Sequence, residues 1–472
     1  MVTPRKFPND PVLAAKRVEA FLAVARDVVG PRHVLTDDAD LAGYTVDWTR
    51  RWTGAAGGAV RPGSTDEVAA LIMAAREHGV ELVPQGGNTG LVGGAVPRAA
   101  RQVVVDLRRL DDLSPVDTLA SQVTAGAGVT LGRLQAHVEA AGLRFGVDLG
   151  ARDSATIGGM VATNAGGLHV VHYGSMRAQV VGVEAVLGTG EVVSRLSGLV
   201  KDNTGYDLAQ LLCGSEGTLG LVTRARLRLV PPPGELVTAL LALATLDEAV
   251  AAAAALRRWL PGVHALEVMD GDSMRLVASS TGSPMPVGGD VDGDAGAFLL
   301  VEVAGPADPT DTLAAALTEL EVEVLEAAVA TSRPDRARLW RFREAHPEVA
   351  ATFGVVHKYD VTLPTAALAD FCVEARASIQ ARWPGSTTLI YGHVGDGNVH
   401  VNTVEAGEEE LDDLVLGLVV ARGGSISAEH GVGVAKLRWL PRDRSAAEIE
   451  AMRAIKGALD PDDILNPGIL LP

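Results

Sequence analysis

Apolar residues in the first half of the chain recur with helical spacing in some stretches and form short strand-like runs in others. Four of them form one helical face and predict a helix over 66–78: Val68, Leu71, Ile72 and Ala75. Ser64 and Glu67 fit a capping box at its start. Apolar runs predict four strands, over 80–83, 103–107, 122–125 and 181–187. Helical spacing predicts a second helix over 130–141. Residues 219–230 alternate in a way typical of an edge or hairpin strand.

The run of three prolines and a glycine at 231–234 breaks this α/β pattern. We therefore predict an α+β chain with three parts: a first domain over 1–235, a second α+β domain over 236–425, and a closing segment over 426–472. In the second domain, Ala-rich stretches predict helices over 247–259 and 364–382. The Gly/Asp/Pro-rich stretch 279–297 predicts a flexible surface loop.

Composition narrows the class of protein. The chain has 472 residues and a net charge of -18, which argues against nucleic-acid partners and weakly against anionic lipid. No apolar run reaches the roughly 18 residues that span a bilayer, and the first ten residues lack a secretory h-region. Cys213 and Cys372 have no CxxC partner, so we expect reduced, buried thiols and a cytoplasmic protein. The sequence leaves open whether the protein forms a homodimer.

Glycine is unusually abundant, with 53 residues, or about 11% against a usual ~7%. One cluster, PQGGNTGLVGG at 84–94, directly follows a predicted strand, and backbone N–H groups in such a turn can cradle phosphate oxygens. Taken alone, it fits a plain turn between strands equally well. The cluster at 126–132 mimics a dinucleotide fingerprint but has one residue too many before its third glycine, so we interpret it as structural.

Further motifs follow in order: DLG at 148–150, SATIGGMVATNAGG at 154–167, YGS at 173–175, KDNTGYD at 201–207 and GSEGTLG at 214–220. With these motifs the chain resembles the FAD-linked oxidase family that shares the vanillyl-alcohol oxidase fold. Within that family it is most similar to the D-2-hydroxyglutarate and D-lactate dehydrogenases. The resemblance runs from about residue 40 to the last residue.

The resemblance implies a two-lobed FAD-binding domain of the vanillyl-alcohol oxidase type, joined to a substrate domain with an antiparallel sheet. It implies that residues 84–90 cradle the pyrophosphate and that Glu216 and Gly217 approach the adenosine. Asn466 would return the tail to the flavin domain. The first loop holds Asn88 where relatives with covalently attached flavin often have His or Cys, so we expect non-covalent FAD. The full set of expected flavin contacts is Pro84, Gly86, Gly87, Asn88, Thr89, Gly90, Leu91, Asp148, Leu149, Ser154, Thr156, Ile157, Gly158, Gly159, Asn164, Gly166, Gly167, Gly174, Glu216, Gly217 and Asn466.

Histidines cluster in the second half of the chain. His393 and His400 are seven residues apart, which places them on opposite faces of a regular strand. The intervening Gly-Asp-Gly-Asn is turn chemistry that can bend the chain so that both point one way. Two histidines and a carboxylate match an open catalytic zinc site, and the resemblance implies a divalent metal on His393, His400 and Glu429. Zinc is the expected metal, although manganese and iron stay open.

Further residues are expected to act around that metal. His430 is expected to be the general base, because histidine suits proton transfer near neutral pH. Arg343 and Lys358 match family positions that hold a substrate carboxylate, and Asn402, which shares a face with His400, is expected to bind substrate. Pro347 stands where the hydroxyglutarate enzymes have a hydroxyl, which weakens the case for a dicarboxylate.

These features predict an FAD- and metal-dependent dehydrogenase that oxidises a D-2-hydroxy acid, with D-2-hydroxyglutarate first and D-lactate, D-malate and similar acids behind it. Hydride would pass to flavin N5, and the electrons then to an electron-transfer flavoprotein, a quinone or a dye-like carrier. The alternatives are an FAD oxidase, a reductase of the UDP-sugar type, and the flavin subunit of a glycolate-oxidising complex.

Overall fold

The computed structural model describes residues 10–288 and 293–471. Its chain divides into two compact units. Unit 1 comprises the described residues up to Gly167, then Tyr173–Pro232, and the chain from Glu429 onwards; unit 2 comprises Leu168–His172 and Pro233–Ala428. The short segment Leu168–His172 therefore belongs to unit 2, although it lies inside the range 1–235 that we predicted as one domain.

The helices and strands alternate along most of the chain. The helices are α1 (Pro11–Val29), α2 (Asp38–Leu41), α3 (Thr65–His78), α4 (Leu131–Glu139), α5 (Ile157–Thr163), α6 (Val170–Tyr173), α7 (Met176–Gln179), α8 (Leu208–Leu212), α9 (Leu246–Trp259), α10 (Gly271–Thr281), α11 (Thr310–Thr318), α12 (Arg333–Glu344), α13 (His346–Thr352), α14 (Thr365–Arg382), α15 (Glu408–Ala421), α16 (Leu440–Asp443) and α17 (Ala446–Leu459). The strands are β1 (Val34–Leu35), β2 (Gly58–Val60), β3 (Glu81–Gln85), β4 (Gln102–Asp106), β5 (Gln122–Gly126), β6 (Val180–Leu187), β7 (Val192–Ser194), β8 (Gly220–Arg228), β9 (Glu235–Leu243), β10 (Val263–Asp270), β11 (Ala297–Gly305), β12 (Val324–Ala330), β13 (His357–Thr362), β14 (Thr387–Gly392) and β15 (Asn398–Val404).

Unit 1 contains two separate four-stranded sheets. The first has the order β1-β2-β4-β3 and pairs β4 in parallel with both neighbours. The second has the order β5-β8-β6-β7 and is antiparallel throughout. Each sheet has its own apolar core, one built on α1 and α3 and the other on α4 and α5. This arrangement confirms the predicted α+β class and the two-lobed flavin domain.

Two local predictions in unit 1 were wrong in detail. Residues 219–230 contain strand β8, which is neither an edge strand nor part of a hairpin, because it pairs on one side with β5 and on the other with β6. The expected capping box is also only half formed. Ser64 accepts from the N–H of Glu67 as predicted, but the Glu67 carboxylate accepts from the N–H of Gly63 (2.7 Å) rather than from that of Ser64.

Unit 2 is built on one seven-stranded sheet, in the order β12-β9-β11-β10-β14-β15-β13. All of its strand pairs are antiparallel, which confirms the predicted sheet type. The predicted helices over 247–259 and 364–382 correspond to α9 and α14. Of the stretch 279–297 that we predicted as a loop, residues 289–292 lie outside the described residues, and α10 extends into its start.

Among the residues that the structure describes, no helix combines the length and the apolar character needed to cross a bilayer. Both cysteines are free thiols buried in the protein, as predicted. Burial raises the pKa of the Cys213 thiol to about 11, so Cys213 stays protonated and unreactive at neutral pH.

Candidate functional site

The first glycine loop of unit 1 packs directly against the start of α5. A Cβ atom placed on Gly86 would lie 2.1 Å from Oγ1 of Thr156, and one on Gly87 would lie 1.7 Å from the carbonyl oxygen of Ser154. A side chain at either position would collide with the second loop, so only glycine allows this close approach. Two of the predicted flavin-binding motifs therefore come together because the first loop has no side chains at Gly86 and Gly87.

A cavity of about 380 Å³ opens beside this contact. It is lined by Gly87, Arg108, Asp111, Gly128, Thr130, Arg133, Asp153, Ser154 and Thr156. The hydroxyl of Thr156 is buried there and has no hydrogen-bond partner among the described residues, although buried polar atoms are normally paired. The lining includes two glycines and two arginines, and together with the unsatisfied hydroxyl they fit a ligand that brings its own acceptor oxygens, as the diphosphate of FAD does.

Several predicted flavin residues hold the surrounding loops in place. The side-chain amide of Asn88 donates to the carbonyl of Val46 (2.8 Å). Oδ1 of Asn164 accepts from the Ser175 hydroxyl at 3.0 Å, and the Asp148 carboxylate forms an ion pair with Arg152 at 2.6 Å. These contacts order the loops that carry the predicted flavin residues, and whether the same side chains also touch flavin stays a prediction.

Glu216 has a structural partner that the sequence did not suggest. We predicted it beside the adenosine, but its carboxylate accepts from the backbone N–H groups of Val432 (2.7 Å) and Gly433 (2.9 Å) in the C-terminal segment of unit 1. Burial raises the pKa of this carboxyl group, against the opposing effect of the two hydrogen bonds. Asn466 adds a second tie, because its amide donates to the carbonyls of Gly94 and Glu216, both at 2.9 Å.

In unit 2 the two predicted metal-binding histidines of the sheet come together at a hairpin. Strand β14 ends at Gly392 and β15 begins at Asn398, so the Gly-Asp-Gly sequence forms the turn between them. The rings of His393 and His400 stand edge to face with their centroids 5.4 Å apart. The predicted bend is confirmed. It brings the two rings together, although a spacing of seven residues would place them on opposite faces of a regular strand.

A buried carboxylate that sequence reasoning missed supports this pair. Glu267 of β10 accepts from Nδ1 of His393 and from Nε of Arg343, each at 2.6 Å. Burial opposes ionisation of Glu267, but the charges and hydrogen bonds of His393 and Arg343 outweigh burial and hold its pKa below the ordinary value. With Nδ1 directed to Glu267, Nε2 is the nitrogen through which His393 would bind a metal, and a carboxylate behind a ligating histidine is the usual arrangement.

The cross-strand register places four polar residues on one face of β13 and β15. Asp360 lies directly opposite His400, and Lys358 lies opposite Asn402. Oδ1 of Asp360 is 3.7 Å from Nδ1 of His400, and Asn402 donates to the hydroxyl of Tyr391 at 2.7 Å. Burial lowers the pKa of Lys358, which makes this ammonium easier to deprotonate than an exposed lysine.

Arg343 does not extend into open space. Besides the ion pair with Glu267, its guanidinium lies over the ring of Tyr391 with its carbon 4.7 Å from the ring centroid, and the residue is only 5% exposed. The structure thus gives Arg343 a role in holding Glu267 and Tyr391, and its contact with substrate stays a prediction.

Glu429 and His430, the other two predicted site residues, belong to unit 1. Both side chains are partly exposed, and Nε2 of His430 lies 3.8 Å from Oε1 of Glu429. The donors that we expected for a divalent metal are therefore of the right chemical type, with imidazole nitrogens on unit 2 and a carboxylate on unit 1.

Comparisons with known proteins identify the family of the chain. The model of the FAD binding domain matches residues 56–195, and that of the C-terminal domain of FAD linked oxidases matches residues 232–470. A D-2-hydroxyglutarate dehydrogenase of Xanthomonas citri pv. viticola is 36% identical over 92% of this chain and 93% of its own length. The mitochondrial D-2-hydroxyglutarate dehydrogenase of Bos taurus is also 36% identical, over 100% of this chain and 87% of its own.

Solved structures with the same fold include p-cresol methylhydroxylase with substrate bound, at a TM-score of 0.77, 17% identity and coverage of 99% of this chain and 98% of the other. The 4-ethylphenol oxidase of Gulosibacter chungangensis gives a TM-score of 0.72 at 17% identity, over 98% of each chain. At these identities the likeness concerns the fold alone. The two domain matches together with the relatives that are 36% identical show that the chain belongs to the family of FAD-linked oxidases, with an FAD-binding domain in its first half.

Proposed function

We propose that this chain is an FAD-dependent dehydrogenase that oxidises D-2-hydroxyglutarate to the 2-oxo acid. The observation that carries the proposal is the buried Glu267–His393 pair beside His400 on the hairpin, in a chain whose relatives are D-2-hydroxyglutarate dehydrogenases over nearly their full length. A carboxylate that fixes one tautomer of a buried histidine is typical of a metal-binding or catalytic histidine rather than of a packing residue.

The residues on unit 2 would orient the substrate. A positively charged Lys358 would attract a distal carboxylate of the substrate, and Asn402 could donate to its oxygens once displaced from Tyr391. Arg343 of α12 contributes further positive charge to unit 2, although its ion-pair partner Glu267 compensates part of it. Pro347 supplies no hydroxyl, so recognition of the distal carboxylate would depend on these cations.

The chemistry needs a hydride acceptor and a means to take up the hydroxyl proton. Bound FAD supplies the acceptor, and a divalent metal supplies Lewis-acid polarisation of the C2 hydroxyl. The metal would be held by His393, His400 and Glu429, and zinc fits two imidazoles and a carboxylate. We assign removal of the C2 hydroxyl proton to the imidazole of His430.

Chain connectivity supports the inclusion of Glu429. Its neighbour Ala428, the last residue of unit 2, donates its N–H to the carbonyl of Asp360 at 3.3 Å. Asp360 is the residue opposite His400 in the sheet. Glu429 is therefore joined by one peptide bond to Ala428, and Ala428 is hydrogen-bonded to β13, the strand that pairs with the strand of His400.

Finer points are part of the same proposal. D-Lactate and other monocarboxylic D-2-hydroxy acids would be poorer substrates, since they lack the distal carboxylate that Lys358 would recognise. The electrons would leave to an electron-transfer flavoprotein, a quinone or a similar carrier, and the protein would act as a homodimer in the cytoplasm. The two buried thiols suit a reducing compartment.

Turnover of purified enzyme with D- and L-2-hydroxy acids tests the proposal, with a dye as electron acceptor and an oxygen electrode in parallel. We expect turnover with the D-acids only, the highest kcat/KM with D-2-hydroxyglutarate, and little peroxide. Stripping the metal with a chelator should abolish turnover, and one divalent metal should restore it. Rapid oxygen-driven turnover with peroxide release would favour the FAD oxidase instead, and activity that survives chelation would contradict the metal role.

A further inference from the structure

A second group of metal-binding side chains lies in unit 2, built from residues that the proposed reaction does not use. His169, His264 and Glu302 each offer a ligand atom, and these atoms all lie within 4.8 Å of one another. All three residues are buried, at 8%, 1% and 6% exposure respectively. Imidazole and carboxylate donors converging in a buried space are the donor set of a zinc-type divalent ion.

Strand β10 has an irregularity at His264 that changes the direction of the His264 side chain. Val263 pairs with Val303 and Ala265 pairs with Glu302, so the register shifts at His264. Such a bulge re-aims one side chain away from the regular alternation of a strand. His264 therefore projects toward neighbours that a regular strand would not have offered it.

A hydrogen bond fixes the tautomer of His169, which lies in the segment Leu168–His172. Nδ1 of His169 is 3.3 Å from the carbonyl oxygen of His264, and a carbonyl only accepts hydrogen bonds. Nδ1 must therefore carry the proton and Nε2 the lone pair, which is the form that binds a metal. His172, next to the cluster, repeats the arrangement with Nδ1 2.8 Å from the carbonyl of Val263.

The carboxylate is held in the same manner. One oxygen of Glu302, Oε2, accepts from the hydroxyl of Thr238 and from the indole N–H of Trp340, each at 2.9 Å. Two donors on a single oxygen hold the carboxylate in place and would leave Oε1 to bind an ion. Two of the three candidate ligands, His169 and Glu302, are thus oriented by a further hydrogen bond, which is the usual arrangement around a metal ion.

We propose that His169, His264 and Glu302 form a second divalent-metal site, separate from the one assigned to the reaction, with zinc or another ion that favours imidazole as its ligand. Its role would be structural. The ion would fasten the short segment Leu168–His172, which is flanked on both sides by unit 1 residues, to strands β10 and β11 of the unit 2 sheet. Metal binding of this kind contributes directly to the stability of the fold.

The metal content of the purified flavoprotein, produced in zinc-supplemented medium, tests this site apart from the proposed function. A double variant, His393→Gln with His400→Gln, removes the other set of imidazoles. We expect it to retain one equivalent of zinc per chain, and adding Glu302→Gln or His169→Gln should reduce this to zero. The matched control His137→Gln changes a histidine of α4 that bonds to the Ser114 carbonyl, and it should retain the metal.

Thermal unfolding provides a second readout that does not depend on activity. Glu302→Gln keeps a carbonyl oxygen for Thr238 and Trp340, so the fold should survive the change. Prolonged chelation should lower the unfolding midpoint of the double variant and leave that of the Glu302→Gln form unchanged. A double variant that binds no zinc, or one whose zinc is unaffected by Glu302→Gln and His169→Gln, would overturn the second site. Equal metal content in wild type and double variant would overturn only the metal of the proposed function.

Discussion

Among single residues, the buried carboxylates were the feature that was hardest to predict from the sequence. Glu267 and Glu302 stand inside strands that are otherwise almost wholly apolar, VHALEVMD and AFLLVEVAG. Burial of a charge is costly unless partners compensate it, so an acidic residue within an apolar strand is itself a signal of a site. The sequence motifs contained the histidines but gave no indication of Glu267, which orients His393.

Glu267→Gln should damage stability and activity together. The change leaves the buried guanidinium of Arg343 without its counter-charge, and removing one partner of a buried ion pair costs about 3–5 kcal/mol. Loss of the carboxylate behind a ligating histidine weakens metal affinity about 10–100-fold. Denaturant unfolding and metal titration would measure both effects. The control Glu410→Gln breaks the exposed pair with Arg382 (3.4 Å) and should change neither, and equal behaviour of the two variants would refute the role of Glu267.

His346 should make the protein less stable in mild acid. Burial, with a smaller effect from the charge of Arg343, lowers its pKa to about 3, whereas the unfolded chain titrates near 6.5. Between these values the unfolded state binds more protons, so stability falls as pH drops, by up to ~1.4 kcal/mol per pH unit. Urea unfolding from pH 7 to pH 5 should show this slope in wild type and a shallower one in His346→Gln. The same slope in both proteins would contradict the assignment.

At the scale of elements, periodicity predicted the type of most helices and strands but not their neighbours. The helix over 66–78 follows from local spacing and capping, and the helix over 364–382 follows from an Ala-rich stretch, so both signals are available from the sequence. The position of β8 inside its sheet depends on long-range pairing with β5 and β6, which periodicity does not encode. The histidine hairpin was predictable because Gly-Asp-Gly-Asn is turn chemistry in its own right.

The hairpin turn should tolerate no side chain at Gly397. This residue has φ of 83°, and an added Cβ would lie 2.6 Å from the carbonyl oxygen of Leu363. Gly397→Ala should therefore shift His400 relative to His393 and lower kcat/KM by at least about tenfold, because catalytic geometry is sensitive to shifts of about 1 Å. Gly385→Ala, before the same hairpin, meets nothing within 4 Å and should behave as wild type. Wild-type kinetics for Gly397→Ala would argue against a site on this hairpin.

At the scale of the whole molecule, the tail completes the flavin unit. Leu465 pairs with Leu82 beside β3, and Asn466 reaches both Gly94 and Glu216. The sequence suggested this return only through the family resemblance. The membership of Leu168–His172 in unit 2 could not have been read from the sequence, since it rests on contacts with residues some 95 positions away.

Asn466→Ala should loosen FAD. The change leaves two carbonyls without their donor, at a cost of about 1–3 kcal/mol for buried groups, next to the glycine loop that the tail supports. Gel filtration in dilute buffer should show a lower flavin-to-protein ratio for the variant than for wild type. The exposed Asn203→Ala serves as the control, and full flavin retention by Asn466→Ala would mean that the tail does not support the flavin site.

The most direct test of the account is anaerobic reduction of the bound flavin by substrate in a single turnover. We predict that D-2-hydroxyglutarate bleaches the visible flavin absorbance rapidly and that L-2-hydroxyglutarate does not. The bleaching should be lost in the double variant His393→Gln with His400→Gln, while its flavin content stays normal. Equal bleaching by both enantiomers, or unimpaired bleaching in the double variant, would contradict the assignment of this hairpin as the site of D-2-hydroxy acid oxidation.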